Sequence, residues 1–334
     1  MEQPSQIEVV EEIEKKEKIS IHITSWIFRN IKFLLLPGSR LEDLTQREFE
    51  YEKTISKRRF IRRLKSVLTI IGIVIIIFIA TLAVFPHWIS PYTFDDAANG
   101  IFTGHYTNPS PGHPLGQAVF GRDVLARMIF GARSSLTVAL PAILLSVVGG
   151  CVIGIIAAYY KGWIDSILMR ICDIFLAFPG LVLALVMIAI FGRHIENIMM
   201  VYGILGIPYY ARLIRGNVLQ ARELPYIQAA RVSGAGSWRI MFRHILPNVI
   251  QPVIISFTFD IGGVILGLAA LAYLGFSDPE LIEWGRDISE ARIYLPSAPW
   301  TSLAPGLMIL ITVMGFMLLG DGLRDALDPR LRNL

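Results

Sequence analysis

Charge is scarce in this chain. Asp, Glu, Lys and Arg make up 17% of the 334 residues, against roughly 25% in ordinary soluble domains. The few charges crowd residues 1–65 and some short stretches, and long apolar runs lie between them. With 54% hydrophobic residues and a mean hydropathy of +0.55, that segregation excludes a large soluble core and points to a membrane protein. Cysteine is almost absent. Cys151 and Cys172 both fall in or beside apolar segments, so neither a disulfide framework nor a metal-ligand spacing exists. His87, His105, His113, His194 and His244 form no i,i+3 or i,i+4 pair. No Gly-rich phosphate loop ending in Lys-Ser/Thr is present, so any ATP must be handled by another chain. No nucleophile–base–acid set stands out, which argues against a membrane enzyme. The first residues are polar and acidic and lack the basic n-region of a secretory signal. The formal net charge of +4 is read as basic loops flanking a membrane, not as nucleic-acid binding.

What is present is a series of uncharged runs. The pattern predicts six spans, at 67–85, 135–158, 174–192, 197–211, 245–276 and 303–320; the fourth is short and holds Pro208, and the fifth holds one charge, Asp260. A helix needs about 20 apolar residues to cross ~30 Å of hydrocarbon. Basic residues cluster before the first span (Arg58, Arg59, Arg62, Arg63, Lys65), between the fourth and fifth (Arg212, Arg215, Arg222, Arg231, Arg239, Arg243) and after the last (Arg324, Arg330, Arg332). The positive-inside rule then puts both termini in the cytoplasm. The expected domains are 1–65, a cytoplasmic and interfacial segment, and 66–334, the transmembrane part. Within 1–65, residues 26–36 suit either an interfacial amphipathic helix or a helix packed on the bundle's end, and 42–65 a charged helix. Residues 87–134, rich in Pro, Gly, Asn and Thr, suit a small outer lobe.

The stretch 216–247 is the most informative. Pro225 should stop the helix descending from the fourth span, and 226–233 can form two helical turns. Gly234 suits the left-handed position that ends them. Ser237 can cap a second helix, whose Trp238, Met241, Phe242 and Ile245 share one apolar face. Pro247 should break that helix before the fifth span. The expected product is a short helix, a glycine turn and an amphipathic helix. Small residues at Ala229 and Ala230 would let another protein's backbone approach; an ordinary loop lying on lipid headgroups is the alternative.

At this loop the chain resembles the bacterial and archaeal ABC-importer permeases. Their signature is Glu-Ala-Ala, three residues, Gly, then a later Ile-Leu-Pro. Gln228-Ala229-Ala230, Gly234 and Ile245-Leu246-Pro247 stand at matching places, with Gln228 where the family has Glu. Further stretches are similar to the C-type permeases for dipeptides, oligopeptides and nickel. These are His113 to Gly116, Gly121 to Arg127, Gly131 to Leu136, Tyr160 to Asp165, Leu176 to Pro179, Ala298 to Trp300 and Gly320 to Leu331. Gln117-Ala118 replaces the usual Thr-Asp. The resemblance covers about residue 113 to the end and implies an all-α permease of six transmembrane helices. It implies a homologous B-type permease beside this chain, two ATPase subunits holding ATP and Mg, and an extracytoplasmic solute-binding protein. No cofactor is expected on this chain itself. The implied ATPase-coupling loop residues are Tyr226, Gln228, Ala229, Ala230, Gly234, Trp238, Leu246 and Pro247. Short peptides are the default solute, nickel or small oligosaccharides the alternatives.

An ion-coupled secondary transporter would need several ionisable groups within the spans. Asp260 is the clear intramembrane one, and it lines a solute path or is packed between helices. Asp173 is expected to pair with Arg170 one turn earlier. Pro141, Pro179 and Pro208 should bend their spans, and Gly150/Gly154 and Gly263/Gly267 should permit close helix contact.

Overall fold

The computed structural model describes residues 66–101 and 104–327, all within the compact unit Arg62–Leu334. The expectations for 26–36 and 42–65, and the last residues of the chain, lie outside the described residues.

The described chain is helical. α1 is Val67–Val84, started by Ser66, whose hydroxyl accepts from the Thr69 amide at 3.2 Å. Pro86 opens the short α2, Pro86–Ile89. α3, Phe94–Asn99, is opened by a capping box between Thr93 and Asp96. α4 runs over Val124–Tyr160, 37 residues, with Asp123 as its cap. It begins well before the second expected span, so residues 124–134 extend a helix and do not belong to a loop. α5, Gly162–Leu176, and α6, Gly180–Phe191, meet at Pro179 with an 88° bend. The expected third span is therefore not one helix. At about 1.5 Å per residue α6 alone covers only ~18 Å, and Pro179 cannot donate the hydrogen bond that would continue α5.

α7 is Ile195–Ala221, 27 residues. After the loop come α8, Pro225–Val232, and α9, Ser237–Arg239, which runs through a π-helical turn, Ile240–Ile245, into α10, Leu246–Val249. α11 is Gln251–Tyr273, α12 is Trp284–Ala291 and α13 is Trp300–Leu327. Among the described residues α1, α4, α11 and α13 are long and apolar enough to cross a membrane, and the bent pair α5–α6 makes a fifth if counted as one span. The fourth expected span, 197–211, lies within α7, which is long enough but also carries Glu196, Arg212 and Arg215.

α4 and α7 form the most intimate pair. Gly150 permits it: a side-chain carbon there would lie 2.9 Å from the Ala211 amide nitrogen. One turn earlier, Ser146 Oγ donates to the Gly203 carbonyl at 2.8 Å. The other glycine pair behaves differently. Gly267 faces the Tyr202 ring, whereas Gly263 has open space beside it, so only one of the two serves packing. α5 is held against α7 by Arg215, which grips Asp165 with two hydrogen bonds at 2.6 and 2.7 Å, and by Arg212 on Asp173. Asp173 thus pairs across helices and not with Arg170, because a carboxylate on the α7-facing side of α5 meets Arg212 directly.

Candidate functional site

The loop between α7 and α11 is built onto the ends of two long helices. α7 stops at Ala221, four residues ahead of Pro225. The proline instead opens α8, at a position where its missing N–H costs nothing. Arg222 Nη1 donates to the last carbonyls of α4, those of Ala158 and Tyr159, at 2.9 and 2.7 Å. A cation there also meets the negative end of the α4 dipole. Lys161 reaches Glu223 at 3.2 Å and holds its carboxyl below the ordinary value. These contacts fix where α8 begins.

α8 ends as the glycine predicts. Gly234 adopts φ 79°; its amide donates to Arg231 O, and the Ala235 amide to Ala230 O, each at 3.1 Å. This is the Schellman pair of bonds. The next helix departs from expectation in two ways. Gly236 occupies the cap and Ser237 is the first helical residue, with no capping bond from its side chain. The following turn is π-helical, and the Leu246 amide donates five residues back to Met241. Pro247 explains the local pattern. It has no N–H for the Arg243 carbonyl, and the wider turn avoids the clash its ring would cause. Asn248 Nδ2 takes up the His244 carbonyl at 2.6 Å. Pro247 therefore reshapes the helix without ending it.

The wider turn changes which side chains face inward. Ile240, Met241 and Ile245 are buried with Ile227, against Cys151, Ile155, Ile214 and Val218 of α4 and α7. Trp238, expected on the same face, is 66% exposed and stacks near Phe242, ring centroids 4.3 Å apart. A helix of 3.6 residues per turn would have kept Trp238 in phase with Met241 and Ile245; the π turn rotates it outward. Tyr226, Val232 and Leu224 are exposed as well, Val232 at 90%. Gln228 and Ala229 lie on the open side, and Gln228 Nε2 donates to the Glu223 carbonyl at 3.2 Å. Ala230 is half-buried, Leu246 packs partly against the cluster, and Pro247 is exposed. The loop is thus anchored from beneath and presents apolar side chains outward.

Asp260 lies midway along α11 and is half-buried. Tyr210 of α7, itself buried, donates its hydroxyl to Asp260 Oδ2 at 2.5 Å. Close by, the Tyr209 and Ser256 hydroxyls are 3.3 Å apart. Sequence reading missed Tyr210, because a partner fifty positions away on another helix leaves no local spacing to notice. It missed Arg222 likewise, seeing a loop charge and not a clamp on α4. At the end of the bundle away from the loop, burial raises the Glu283 carboxyl to about 7. Among the described residues no group of three or more His, Cys, Asp or Glu could hold a metal ion.

This arrangement of apolar spans around one anchored helix–glycine–helix loop defines a transport subunit of the membrane. Residues 150–333 match the family described as binding-protein-dependent transport system inner membrane component. The chain belongs to that family and is a multi-pass permease of the ABC-importer class. It is 41% identical to the glutathione transport system permease protein GsiD of Pectobacterium atrosepticum over 83% of this chain and 90% of that protein. It is 40% identical to the dipeptide transport system permease protein DppC of Alkalihalophilus pseudofirmus, over 80% and 88%. GsiD of Escherichia coli is 39% identical over 82% and 89%.

Proposed function

We propose that this chain is the permease subunit of an ATP-driven importer of short peptides, and that its loop transmits the state of the ATPases to the membrane. The carrying observation is the loop itself: Ile227, Ile240, Met241 and Ile245 bind it to α4 and α7, while Tyr226, Val232 and Trp238 face out. A partner that grips the outward side chains moves the inward ones, and with them two membrane helices. Tyr226, Gln228, Ala229, Ala230, Gly234 and Trp238 then form the ATPase contact, with Leu246 and Pro247 as its base. ATP and Mg belong to the two ATPase chains, and this chain carries no cofactor. A homologous permease completes the pathway, and a separate binding protein delivers the solute. ATP closes the ATPase pair, the loops follow, and the two permeases rock open outward; by reciprocity, solute delivery biases the ATPases. Peptide as solute rests on the names of the relatives, glutathione and dipeptide permeases.

The reading is tested by reconstituting the chain with its partner permease, ATPases and binding protein in liposomes. ATP-dependent uptake of dipeptides and tripeptides is expected; uptake that survives without ATP and follows a proton or sodium gradient would defeat it. Both termini and the loop are placed in the cytoplasm. Because Cys151 and Cys172 are buried, single cysteines at Gln228 and Ser110 can be labelled against a low background. An impermeant reagent added to intact cells should modify position 110 and spare 228, and the opposite pattern would invert the topology.

Asp260 is proposed to line the pathway. Lipid exposure of a carboxyl at mid-span is costly, and Tyr210 occupies only one of its oxygens. Asp260→Asn keeps an oxygen for the Tyr210 hydroxyl, so assembly should be normal while uptake changes severalfold. Asp260→Leu should also assemble. Unchanged uptake by the Asn variant together with poor yield of the Leu variant would make Asp260 a packing residue.

A further inference from the structure

Five of the six described arginines at the bundle end away from the loop are used within the protein. Arg122 pairs with Glu290 and Arg127 with Asp287. Arg193 donates to the Gly275 carbonyl, and Arg286 to Ser277, Asp278 and Pro279. Arg292 lies over the Tyr273 ring. The sixth, Arg133 of α4, makes no hydrogen bond, ion pair or ring contact among the described residues. It is also the last charge before an uncharged run that reaches Tyr160.

Arg133 lines a cavity of about 370 Å³ together with His87, Phe94, Phe130, Ser134 and Thr137. That volume is within the range of small-molecule sites. Ile195 of α7 and Leu281 complete its wall, which combines aromatic and aliphatic surface with one guanidinium, one imidazole and two hydroxyls. An arginine that merely anchored the helix to lipid phosphates would need no such concavity, because it could reach the interface from a convex face. An unpaired guanidinium is instead suited to hold a carboxylate through two parallel N–H donors.

We propose that this cavity is a reception site for the solute, in which Arg133 binds the free carboxylate of an incoming peptide and the Phe94 and Phe130 rings contact its apolar part. This rests on the reading of the chain as a peptide importer. Peptides, glutathione included, carry at least one free carboxylate at neutral pH, so the site would select a feature common to them and not a particular side chain.

The test uses the complete complex in liposomes with dialanine and with dialanine amide, which lacks the carboxylate. Each variant's rate is divided by the wild-type rate for the same peptide, so that any preference of the binding protein cancels. Arg133→Gln should lower dialanine uptake roughly tenfold, ~1.4 kcal/mol, and leave amide uptake within about twofold. Arg133→Lys should restore most of the loss. The liposomes are made both of phosphatidylcholine alone and of phosphatidylcholine with phosphatidylglycerol. A loss confined to the phosphatidylglycerol vesicles would assign Arg133 to a lipid headgroup and overturn the proposal. Equal losses for both peptides would overturn it in favour of a structural or docking role, and so would no loss for either. Wild-type complex that imports neither peptide would defeat the peptide reading itself, and the carboxylate site with it.

Discussion

Gly234→Leu is expected to leave the protein inserted and assembled while abolishing the stimulation of ATP hydrolysis by solute. The substitution isolates a backbone effect. A side-chain carbon at Gly234 would meet nothing within 4 Å, so a Cβ there adds no clash. The residue nevertheless sits at φ 79°, where an L side chain costs roughly 1–2 kcal/mol. The turn can relieve that cost by giving up the two bonds to Ala230 and Arg231, and α8 then loses its fixed direction relative to Ile240 and Met241. Gly236 supplies the control. It too has open space but lies at φ −63°, so Gly236→Ala should couple normally. ATPase assays on the purified complex, with and without loaded binding protein, separate these outcomes. Normal stimulation in the Gly234 variant would show that the turn's geometry is not what transmits the signal.

The same loop shows what a sequence can and cannot disclose. Gly234 was legible because a left-handed helix end is a local demand that one residue type meets cheaply. The existence of α1, α4, α11 and α13 was legible because long apolar runs answer to the membrane and not to their neighbours. Trp238 was misjudged because the π turn arises from Pro247, several residues downstream, and shifts the helical phase on which the apolar face was drawn. The third span was misjudged because hydropathy records that 174–192 is apolar but not that Pro179 folds it through 88°. Pairings across helices were beyond reach. Asp173 was given to Arg170, its nearest cation in sequence, while the fold supplies Arg212. Tyr210 and Arg127 find their partners only once α7 and α4 lie beside α11 and α12.

Arg127 is the residue whose loss should cost most stability. It is 2% exposed and reaches Asp287 Oδ1 through Nε at 2.7 Å and Nη2 at 2.5 Å. Its Nη1 donates to the Ala97 carbonyl at 2.7 Å. One guanidinium therefore joins α3, α4 and α12. Asp287 is buried as well, and its Oδ2 has no hydrogen-bond partner among the described residues; the other cation that feels its charge, Arg122, is already bonded to Glu290. Removing one member of a buried pair strands the other, at about 3–5 kcal/mol. Arg127→Met should accordingly lower the thermal midpoint of the detergent-solubilised complex and sharply reduce its yield. Pairing it with Asp287→Leu should recover most of both, because an apolar pair carries no stranded charge. The neighbouring Arg122–Glu290 bridge is a similar length, 2.9 Å, but its carboxylate is 38% exposed. Glu290→Ala should cost no more than ~1 kcal/mol. If Arg127→Met is as mild as Glu290→Ala, water must reach Asp287, and the join of α3, α4 and α12 would rest on apolar packing around Trp284 and Met128 instead.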